Sequence, residues 1–211
     1  DFISKGGLDF FLIKFASLGN IIWGRQGGGD GIDIASAVAC AYNGNSIIVG
    51  SFENNINLDW QTNLLSLGKT DAFVASYDSN GVVNWADKEG GSDEDAGASV
   101  AVDLVGNVYM VGRFSGDVDF YRTQATSMGG FDIFIAKYTD FGLRQLVKVA
   151  GGTGNDVATG LGLDGSGDLF ISGTFEGKSG FGDKEIIADN KDAFLAMYNE
   201  KMDIQWVRKV G

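Results

Sequence analysis

The feature that most constrains this chain is a sequence pattern that occurs four times at intervals of about sixty residues. The clearest copy, at 129–138, reads Gly-Gly-Phe-Asp-Ile-Phe-Ile-Ala-Lys-Tyr, and its Asp132 has counterparts at Asp9, Asp71 and Asp192. Successive counterparts are 62, 61 and 60 residues apart. Periods of this length are typical of stacked supersecondary units, such as β-propeller blades, which cannot bury their apolar faces alone. The sequence therefore predicts a repeat array.

The pattern divides the chain into one half unit and three full units. The half unit is 1–29, and the full units, named first, second and third below, are 30–91, 92–152 and 153–211. In the second unit, Gly and Asn turn signals separate four predicted strands, a to d, at 98–102, 108–114, 132–138 and 143–149. The half unit holds strands c and d only. Because Asp1 lies inside a repeat, we interpret the chain as a processed or truncated piece of a longer protein.

Strand c of each unit predicts how the sheets are covered. In the second unit, Ile133 and Ile135 alternate with Phe134, Ala136 and Tyr138, so both faces of the strand are apolar. A sheet with one solvent-exposed face would alternate apolar and polar residues. Sheets stacked radially, as in a propeller, bury both faces. We therefore predict an all-β fold, a β-propeller of four-stranded antiparallel blades, with about three and a half blades in this chain.

Aromatic residues recur at fixed distances after the repeated aspartate. They lie two, six and fourteen residues after it, and the last position is apolar in every unit. The three sets are Phe11, Phe73, Phe134 and Phe194; Phe15, Tyr77, Tyr138 and Tyr198; and Trp23, Trp85, Leu146 and Trp206. Equivalent positions in every unit favour a role in packing between blades over a platform for stacking carbohydrate.

The strand order predicts that this chain does not close a ring by itself. It reads cd, abcd, abcd, abcd, and closure would require a final ab. An open arc leaves a bare sheet face of on the order of 300 Å² at each end. Each bare face loses on the order of 8 kcal/mol of the stabilising free energy that burial of its apolar surface would give. We therefore expect further blades, from missing sequence or another chain, in a larger ring, for example one of seven blades. Two copies would supply the 28 strands of seven blades, but both half blades would be cd, which disfavours simple dimeric closure.

The repeat resembles a known bacterial family. The matching segments are Gly90-Gly91-Ser92-Asp93-Glu94-Asp95-Ala96, Val100–Asp103, Gly106–Tyr109, Val111–Phe114 and Gly129–Tyr138. They are similar to the SBBP-type β-propeller repeat of bacterial surface and secreted proteins, frequently from Bacteroidota. The resemblance implies an extracellular or cell-surface location, with the periplasm as an alternative, and it implies no common catalytic residues. The third unit departs from the pattern at Asp189-Asn190-Lys191 and at Met202, which predicts a locally different rim.

Composition excludes several classes of function. A net charge of −12 disfavours nucleic acid and anionic membrane surfaces as partners, because Lys and Arg supply phosphate contacts. The chain has no histidine, which excludes a Ser-His-Asp triad and a histidine-ligated metal. The single cysteine, Cys40, lies in an apolar run and is interpreted as a small buried thiol. No run of 18 apolar residues occurs, so no membrane insertion is predicted.

Acidic loops before strand a are the candidate metal sites. Two of three loops fit the opening G-G-x-G-x-D of calcium-binding nonapeptide repeats, but a lone loop supplies fewer oxygens than calcium requires. We favour Asp33, Asp95 and Asp156 as turn-forming carboxylates, with calcium at Asp93, Glu94 and Asp95 as the alternative. No other cofactor is predicted. The repeated aspartates Asp9, Asp71, Asp132 and Asp192 are interpreted as structural hydrogen-bond acceptors, because catalysis requires one asymmetric arrangement.

These observations favour a non-catalytic interaction or display module that binds a protein or glycan partner. The longest connections join strands b and c, at 53–68, 115–130 and 176–191, and loops of this kind carry binding residues. Asn54, Asn55 and Trp60 are the contact candidates in the first of them. One alternative is a structural spacer without a ligand, and another is a carboxylate-based propeller hydrolase or lyase. No catalytic residue is assigned.

Overall fold

The computed structural model describes residues 2–120 and 123–211. Asp1 lies outside these ranges, and so does the interpretation, based on Asp1, that the chain is a piece of a longer protein. Within that range the chain forms strands and turns. The strands are Phe10–Phe15 (β1), Ile21–Gly27 (β2), Asp33–Cys40 (β3), Ser46–Phe52 (β4), Asn55–Asn57 (β5), Asn63–Leu65 (β6), Asp71–Tyr77 (β7), Val83–Glu89 (β8), Ala96–Val102 (β9), Val108–Phe114 (β10), Asp117–Asp119 (β11), Gln124–Thr126 (β12), Asp132–Tyr138 (β13), Arg144–Gly152 (β14), Val157–Leu163 (β15), Leu169–Phe181 (β16), Lys184–Tyr198 (β17) and Ile204–Val210 (β18). Among these residues, no helix has the length and apolar character needed to cross a membrane.

Each full unit contributes four antiparallel strands that pair side by side in chain order. The orders are β3-β4-β7-β8, β9-β10-β13-β14 and β15-β16-β17-β18, and β1 pairs with β2 in the half unit. Two residues at the end of β14, Gly151 and Gly152, also pair with β16 and join the last two sheets. The predicted strands b and c of the second unit match β10 and β13, whereas strand a begins earlier, at Ala96, and strand d continues to Gly152. The all-β prediction is confirmed.

The sheets of the first and second units are covered on both faces. All seven residues of β7 are buried, and β13 is buried at every position except Lys137. Buried side chains fill the space between neighbouring sheets in three clusters, each of which combines residues from adjacent units. One cluster stacks Phe10 of the half unit on Phe73 of the first unit, with ring centroids 5.5 Å apart. The prediction that strand c is apolar because neighbours cover both faces is confirmed here.

The outer faces of the chain are open, and this corrects two of the aromatic assignments. Phe11 and Phe15 of the half unit are 62% and 56% exposed, whereas their respective counterparts in the first unit, Phe73 and Tyr77, are fully buried. No neighbouring sheet covers this face of the half unit in the described chain, and the Phe2 ring, stacked on Phe11 with centroids 5.8 Å apart, shields it only in part. The interpretation of Cys40 as a buried thiol is also wrong, since the residue is exposed.

A tryptophan and a turn connect neighbouring sheets in the same way at two junctions. The indole Nε1 of Trp23 donates to the carbonyl oxygen of Ser79 at 2.9 Å, and that of Trp85 donates to Asp140 at 2.9 Å. Each ring lies over a glycine two residues further along the turn, Gly81 or Gly142, with φ of 77° or 80°. We call this arrangement the indole–turn contact. It requires a glycine because a side chain would enter the space of the ring.

The third junction replaces both halves of the indole–turn contact together. Leu146 stands at the tryptophan position and Met202 at the glycine position. Met202 keeps the left-handed backbone, with φ of 61°, and is 1% exposed within the cluster on which Leu146 packs. A larger side chain in the turn therefore fills the volume that an indole occupies at the other junctions. The structure thus explains why the third unit departs from the repeat pattern at Met202.

We expect Gly142→Ala to destabilise the protein more than Gly44→Ala. Both glycines have positive φ, at 80° and 87°, so each substitution costs about 1 kcal/mol of backbone strain. A methyl group at Gly142 would lie 2.5 Å from Trp85 Cδ2, whereas at Gly44 the nearest atom would be 3.8 Å away. Overpacking adds about 1–3 kcal/mol at Gly142 alone. Denaturant unfolding of both variants measures the difference, and equal losses would contradict the indole–turn contact.

Candidate functional site: the hairpin rim

The b–c connections of the three full units form hairpins on equivalent strands. They are β5–β6, β11–β12 and the outer ends of β16 and β17, and we call their exposed edge the hairpin rim. Each hairpin pairs with the glycine linker that precedes its own unit, through Gly28 to Asn57, Gly91 to Val118, and Gly152 to Ser179. The connection at 176–191, predicted to be a loop, is instead a continuous two-stranded arm. The linkers therefore hold all three hairpins in equivalent positions.

The tip of the first hairpin presents a tryptophan from a fixed turn. The Asp59 Oδ1 atom accepts hydrogen bonds from the backbone N–H groups of Gln61 and Thr62, at 2.8 and 2.6 Å. The N–H of Leu58 closes the same loop by donating to the carbonyl of Thr62 at 3.0 Å. Between these contacts, Trp60 is 88% exposed. An aromatic ring held outward by a capped turn loses little conformational entropy when a partner covers it.

The other two contact candidates lie nearer the base of this hairpin. Asn54 is exposed and has a positive φ of 58°, and its carbonyl accepts a hydrogen bond from Ser66 N–H at 2.8 Å. Asn55 is half-buried, pairs with Leu65 across the hairpin and lies against Gly29 of the linker. The structure thus places Asn54 and Trp60 on the surface, while Asn55 mainly shapes the hairpin. Leu65 and Leu67, both exposed on the same hairpin, are contact candidates that the sequence pattern did not single out.

The three calcium candidates have separate surroundings. Asp95 is 1% exposed, and its two carboxylate oxygens accept the N–H groups of Gly91 at 2.7 Å and Ser115 at 3.1 Å. Asp93 lies 3.3 Å from Lys69 at the surface, and the Glu94 side chain is exposed. Across residues 2–120 and 123–211, no group of three or more His, Cys, Asp or Glu side chains is arranged to hold a metal ion. Calcium at this loop remains a prediction.

The repeated aspartates form close pairs around the glycine linkers. Asp71 accepts the N–H of Leu67 at 3.1 Å and pairs with Lys88 at 3.1 Å, and its carboxylate lies beside Gly90, which Asp95 also approaches. Asp33 accepts the N–H of Gly29 at 2.7 Å, as Asp95 does that of Gly91. The predicted roles as backbone acceptors are therefore confirmed for these residues. For Asp156, neither carboxylate oxygen finds a hydrogen-bond partner in the described part of the chain.

Burial raises the pKa of the linker carboxyls. It raises the pKa of Asp95 to about 7, mainly through desolvation, although the N–H groups of Gly91 and Ser115 oppose the rise. The pKa values of Asp33 and Asp156 rise to about 6 for the same reason, with a smaller contribution from the neighbouring aspartates Asp9 and Asp132. The pKa is raised at three equivalent positions because the repeat buries each of these carboxyls in the same way. At these three positions the raised pKa is therefore explained by structure and does not by itself indicate catalysis.

One charged cluster occurs at a single junction and was not predicted from the sequence. Arg144 of the second unit pairs with Asp87 and Glu89 of the first, each at 2.7 Å, and Tyr138 donates its hydroxyl hydrogen to Glu89. The Trp85 ring stacks on Tyr138 at 5.9 Å. Glu89 is 1% exposed, and burial raises its pKa to about 7 despite the arginine. These carboxylates are an unrepeated pair of the kind that an enzyme would require, but Arg144 bridges them and Glu89 is shielded from solvent, while the Asp87 side chain is 35% exposed.

A cleft of about 560 Å³ lies between the a–b turns of the second and third units. Asp103 and Asp164 line it, and each accepts backbone N–H groups of its own turn at 2.8–3.0 Å. Lys137, also in the lining, lies over the Tyr109 ring with its Nζ 4.9 Å from the centroid. The acidic groups are thus committed to turns rather than directed at a ligand, and the cleft is a weaker candidate than the hairpin rim.

Comparison with known proteins indicates a repeat protein. No family model matches the chain. An uncharacterized WD repeat-containing protein of Acanthamoeba polyphaga mimivirus is 26% identical over 169 residues, which cover 74% of this chain and 12% of that protein. The regulatory protein FlaEY of Caulobacter vibrioides is 27% identical over 144 residues, covering 67% of this chain and 15% of that protein. The chain therefore matches less than a sixth of either relative.

Among solved structures, a protein of unknown function from Bacteroides caccae covers 97% of this chain and 94% of its own. The TM-score is 0.30 at 8% sequence identity. The comparisons support a repeat-containing all-β protein, and the WD repeat in one relative's name agrees with the repeat array. The SBBP-type assignment and an origin in Bacteroidota are not confirmed by them and remain predictions.

We expect the protein to be more stable near pH 5 than near pH 8. The folded-state pKa values of Asp33, Asp95 and Asp156 lie above the ordinary 3.8, at about 6 to 7. The native state therefore holds more protons than the unfolded state between about pH 4 and 7, and stability falls as the pH rises through that range. Each group contributes at least about 1 kcal/mol.

Urea unfolding at several pH values tests this prediction. The matched variant is Asp95→Asn, which keeps the shape of the side chain but cannot ionise, so the pH dependence should become shallower. Stability that increases between pH 5 and 8 would contradict the assignment of neutral carboxyls to the linkers.

Proposed function

We propose that this chain is a segment of a β-propeller that acts as a non-catalytic interaction module and binds a protein or glycan partner through the hairpin rim. The observation that carries the proposal is Trp60, which is 88% exposed on a turn fixed by Asp59. Tryptophan is enriched among the residues that dominate binding energy at interfaces. The neighbouring exposed Leu65 and Leu67 extend the apolar surface around it.

Three features support the finer assignment to a propeller. Successive four-stranded sheets follow one another along the chain, their facing surfaces share buried clusters, and the internal sheets are covered on both sides. A curated relative is named for WD repeats, a propeller repeat. The open faces of the half unit and the third unit favour a larger ring, for example one of seven blades, with the remaining blades in missing sequence or another chain.

The location proposed for the protein is the cell surface or extracellular space, with the periplasm as the alternative. Its support is the resemblance to exported bacterial repeat proteins and the acidic composition, with a net charge of −12, that suits a solvent-exposed display module. Antibody detection of the protein on intact cells, compared with lysed cells, tests this part of the proposal separately from binding.

The partners of the carboxylates favour a non-catalytic role over the hydrolase or lyase alternative. Asp33, Asp71 and Asp95 accept backbone N–H groups. Arg144 bridges the unrepeated pair Asp87 and Glu89. The spacer alternative makes a different prediction: a spacer binds no partner, so no surface substitution changes binding.

We expect a photo-crosslinking residue placed at Trp60 to capture a partner from extracts of the cells that make the protein. The same residue placed at Tyr42, which is 93% exposed on an a–b turn away from the hairpins, is the matched control and should capture nothing specific. For the partner recovered, Trp60→Ala should weaken binding at least about tenfold, whereas Tyr42→Ala should leave it unchanged. Identical capture at both positions, or none at either, would favour the spacer.

A further inference from the structure

The ends of the sheets opposite the hairpin rim carry a second set of exposed connections. Because neighbouring strands of each sheet run in opposite directions, the a–b and c–d turns lie together at these ends, which we call the turn end. In the second unit the two turns are close neighbours, since a methyl group at Gly106 would lie 2.9 Å from Asp140 Cβ. The tips of both turns therefore present one continuous surface.

Four large apolar side chains are exposed at the turn end of the second unit, and we call them the turn patch. They are Leu104 (81% exposed), Val105 (78%), Phe141 (83%) and Leu143 (67%). Tight turns are ordinarily built from Gly, Asn, Asp and Ser, because these residues tolerate the turn backbone or bond to it. An exposed apolar cluster with a polar border is typical of an interaction site.

The third unit shows that these turns do not require apolar residues. In the second unit, Gly106 N–H closes the a–b turn by donating to the carbonyl of Asp103 at 3.1 Å, and the corresponding bond of the third unit, from Gly167 to Asp164, is 3.2 Å. The third unit nevertheless has small or charged residues at the four positions of the patch, which are Gly165, Ser166, Lys201 and Asp203. The turn patch is therefore a property of the surface of the second unit and is not needed for its fold.

The second unit lies inside the stack, so further units would not cover its turn patch. The first unit packs on one face of its sheet and the third unit on the other, through shared buried clusters. Stacking covers the faces of sheets, whereas turns project from the ends of strands. A further unit at either end of the stack would therefore leave the turn patch exposed.

The turn patch continues into the cleft between the second and third units. Leu104 and Val105 belong to the lining of this cleft of about 560 Å³, as does Leu163 of the third unit. The volume lies within the range of pockets that bind small molecules, so the cleft has room for an apolar side chain of a partner. The patch and the cleft together offer an apolar surface with a recess beside it.

The turn end is strongly acidic. The turns at 16–20, 41–45, 78–82, 103–107, 139–143, 164–168 and 199–203 contain one cation, Lys201, and a larger set of carboxylates, which are Asp78, Asp103, Asp140, Asp164, Asp168, Glu200 and Asp203. In the cleft lining, Lys137 is likewise outnumbered by Asp103, Asp164 and Glu200. Hydrogen bonds to turn N–H groups orient some of these carboxylates without removing their charge. The apolar surface is thus bordered by negative potential, which attracts a cationic partner.

We propose that the turn patch is a second interaction surface, which docks a basic amphipathic segment of a partner protein. Apolar side chains of the segment cover the patch and enter the cleft, while its Lys and Arg side chains lie near the carboxylates of the turn end. The acidic border disfavours acidic segments and anionic lipid. The surface uses no residue of the hairpin rim, so it stands apart from the proposed function, and the chain can hold one partner at each end of its sheets.

The probe is a fluorescein-labelled peptide that alternates Leu and Phe with Lys, and its controls are peptides with Glu or Ser in place of Lys. By fluorescence anisotropy, the Lys peptide should bind the wild-type chain with a Kd of about 10–100 µM, at least about tenfold more tightly than either control peptide. Raising the salt concentration from about 0.05 to about 0.5 M should weaken this binding, because salt screens the carboxylates of the turn end.

Two variants separate the apolar and the electrostatic contributions. Leu104→Ser with Phe141→Ser removes apolar surface and should weaken binding of the Lys peptide at least about tenfold. Asp140→Asn with Glu200→Gln keeps the patch and should weaken binding less, with a smaller dependence on salt.

Leu65→Ser with Leu67→Ser is the matched control, since it removes two side chains, 64% and 67% exposed, from the hairpin rim and should bind the Lys peptide like the wild type. Circular dichroism establishes that each variant is folded, and Phe141→Ser alone replaces the double variant if that one unfolds. Equal affinity for the Lys and Glu peptides, or equal losses in the patch variant and the matched control, would overturn the proposal. Vesicles of phosphatidylcholine that bind the wild type but not the patch variant would also overturn it, in favour of a lipid surface.

Discussion

The structure depends on one constraint, which is that its central sheets are apolar on both faces. Strand β7 buries all seven of its residues, from Asp71 to Tyr77, so a sheet of this kind is stable only between two others. Since every unit repeats the pattern, every unit requires neighbours. Stacking satisfies that requirement inside the chain and leaves it unsatisfied at the two ends, where Phe15 and Leu195 are exposed.

Stacking two-sided sheets fixes where polar groups can lie. The chain must pass from strand d of one sheet to strand a of the next through a short buried linker, and the backbone N–H groups of that linker require acceptors. Asp33 and Asp95 provide them, and burial is the reason that their pKa values rise. The repeated acidic residues are thus a consequence of the linker geometry. Recognition is left to the edges of the sheets, where the hairpins and Trp60 meet solvent.

The sequence predicted much of this arrangement because its signals are local and repeated. Strands β10 and β13 match their predicted bounds, since Gly and Asn turns delimit them and alternation defines their faces. The cluster of Arg144 with Asp87 and Glu89 was not predictable, because it joins residues more than fifty positions apart at one junction only. The continuous arm of β16 and β17 could not be predicted for a related reason. Its strands pair with each other and with a linker, and the repeat pattern of the sequence carries no signal for that pairing.

The sequence by itself determined the all-β fold, the length of the unit and the residues at each repeated position. Those properties follow from spacing and side-chain type, which are present in every copy. Tertiary structure alone decided which copies of a position are buried. Phe11 and Phe73 are equivalent in the repeat, yet one is 62% exposed and the other fully buried. The physical reason is that burial belongs to a pair of neighbouring sheets, and only the fold shows which sheets have a neighbour.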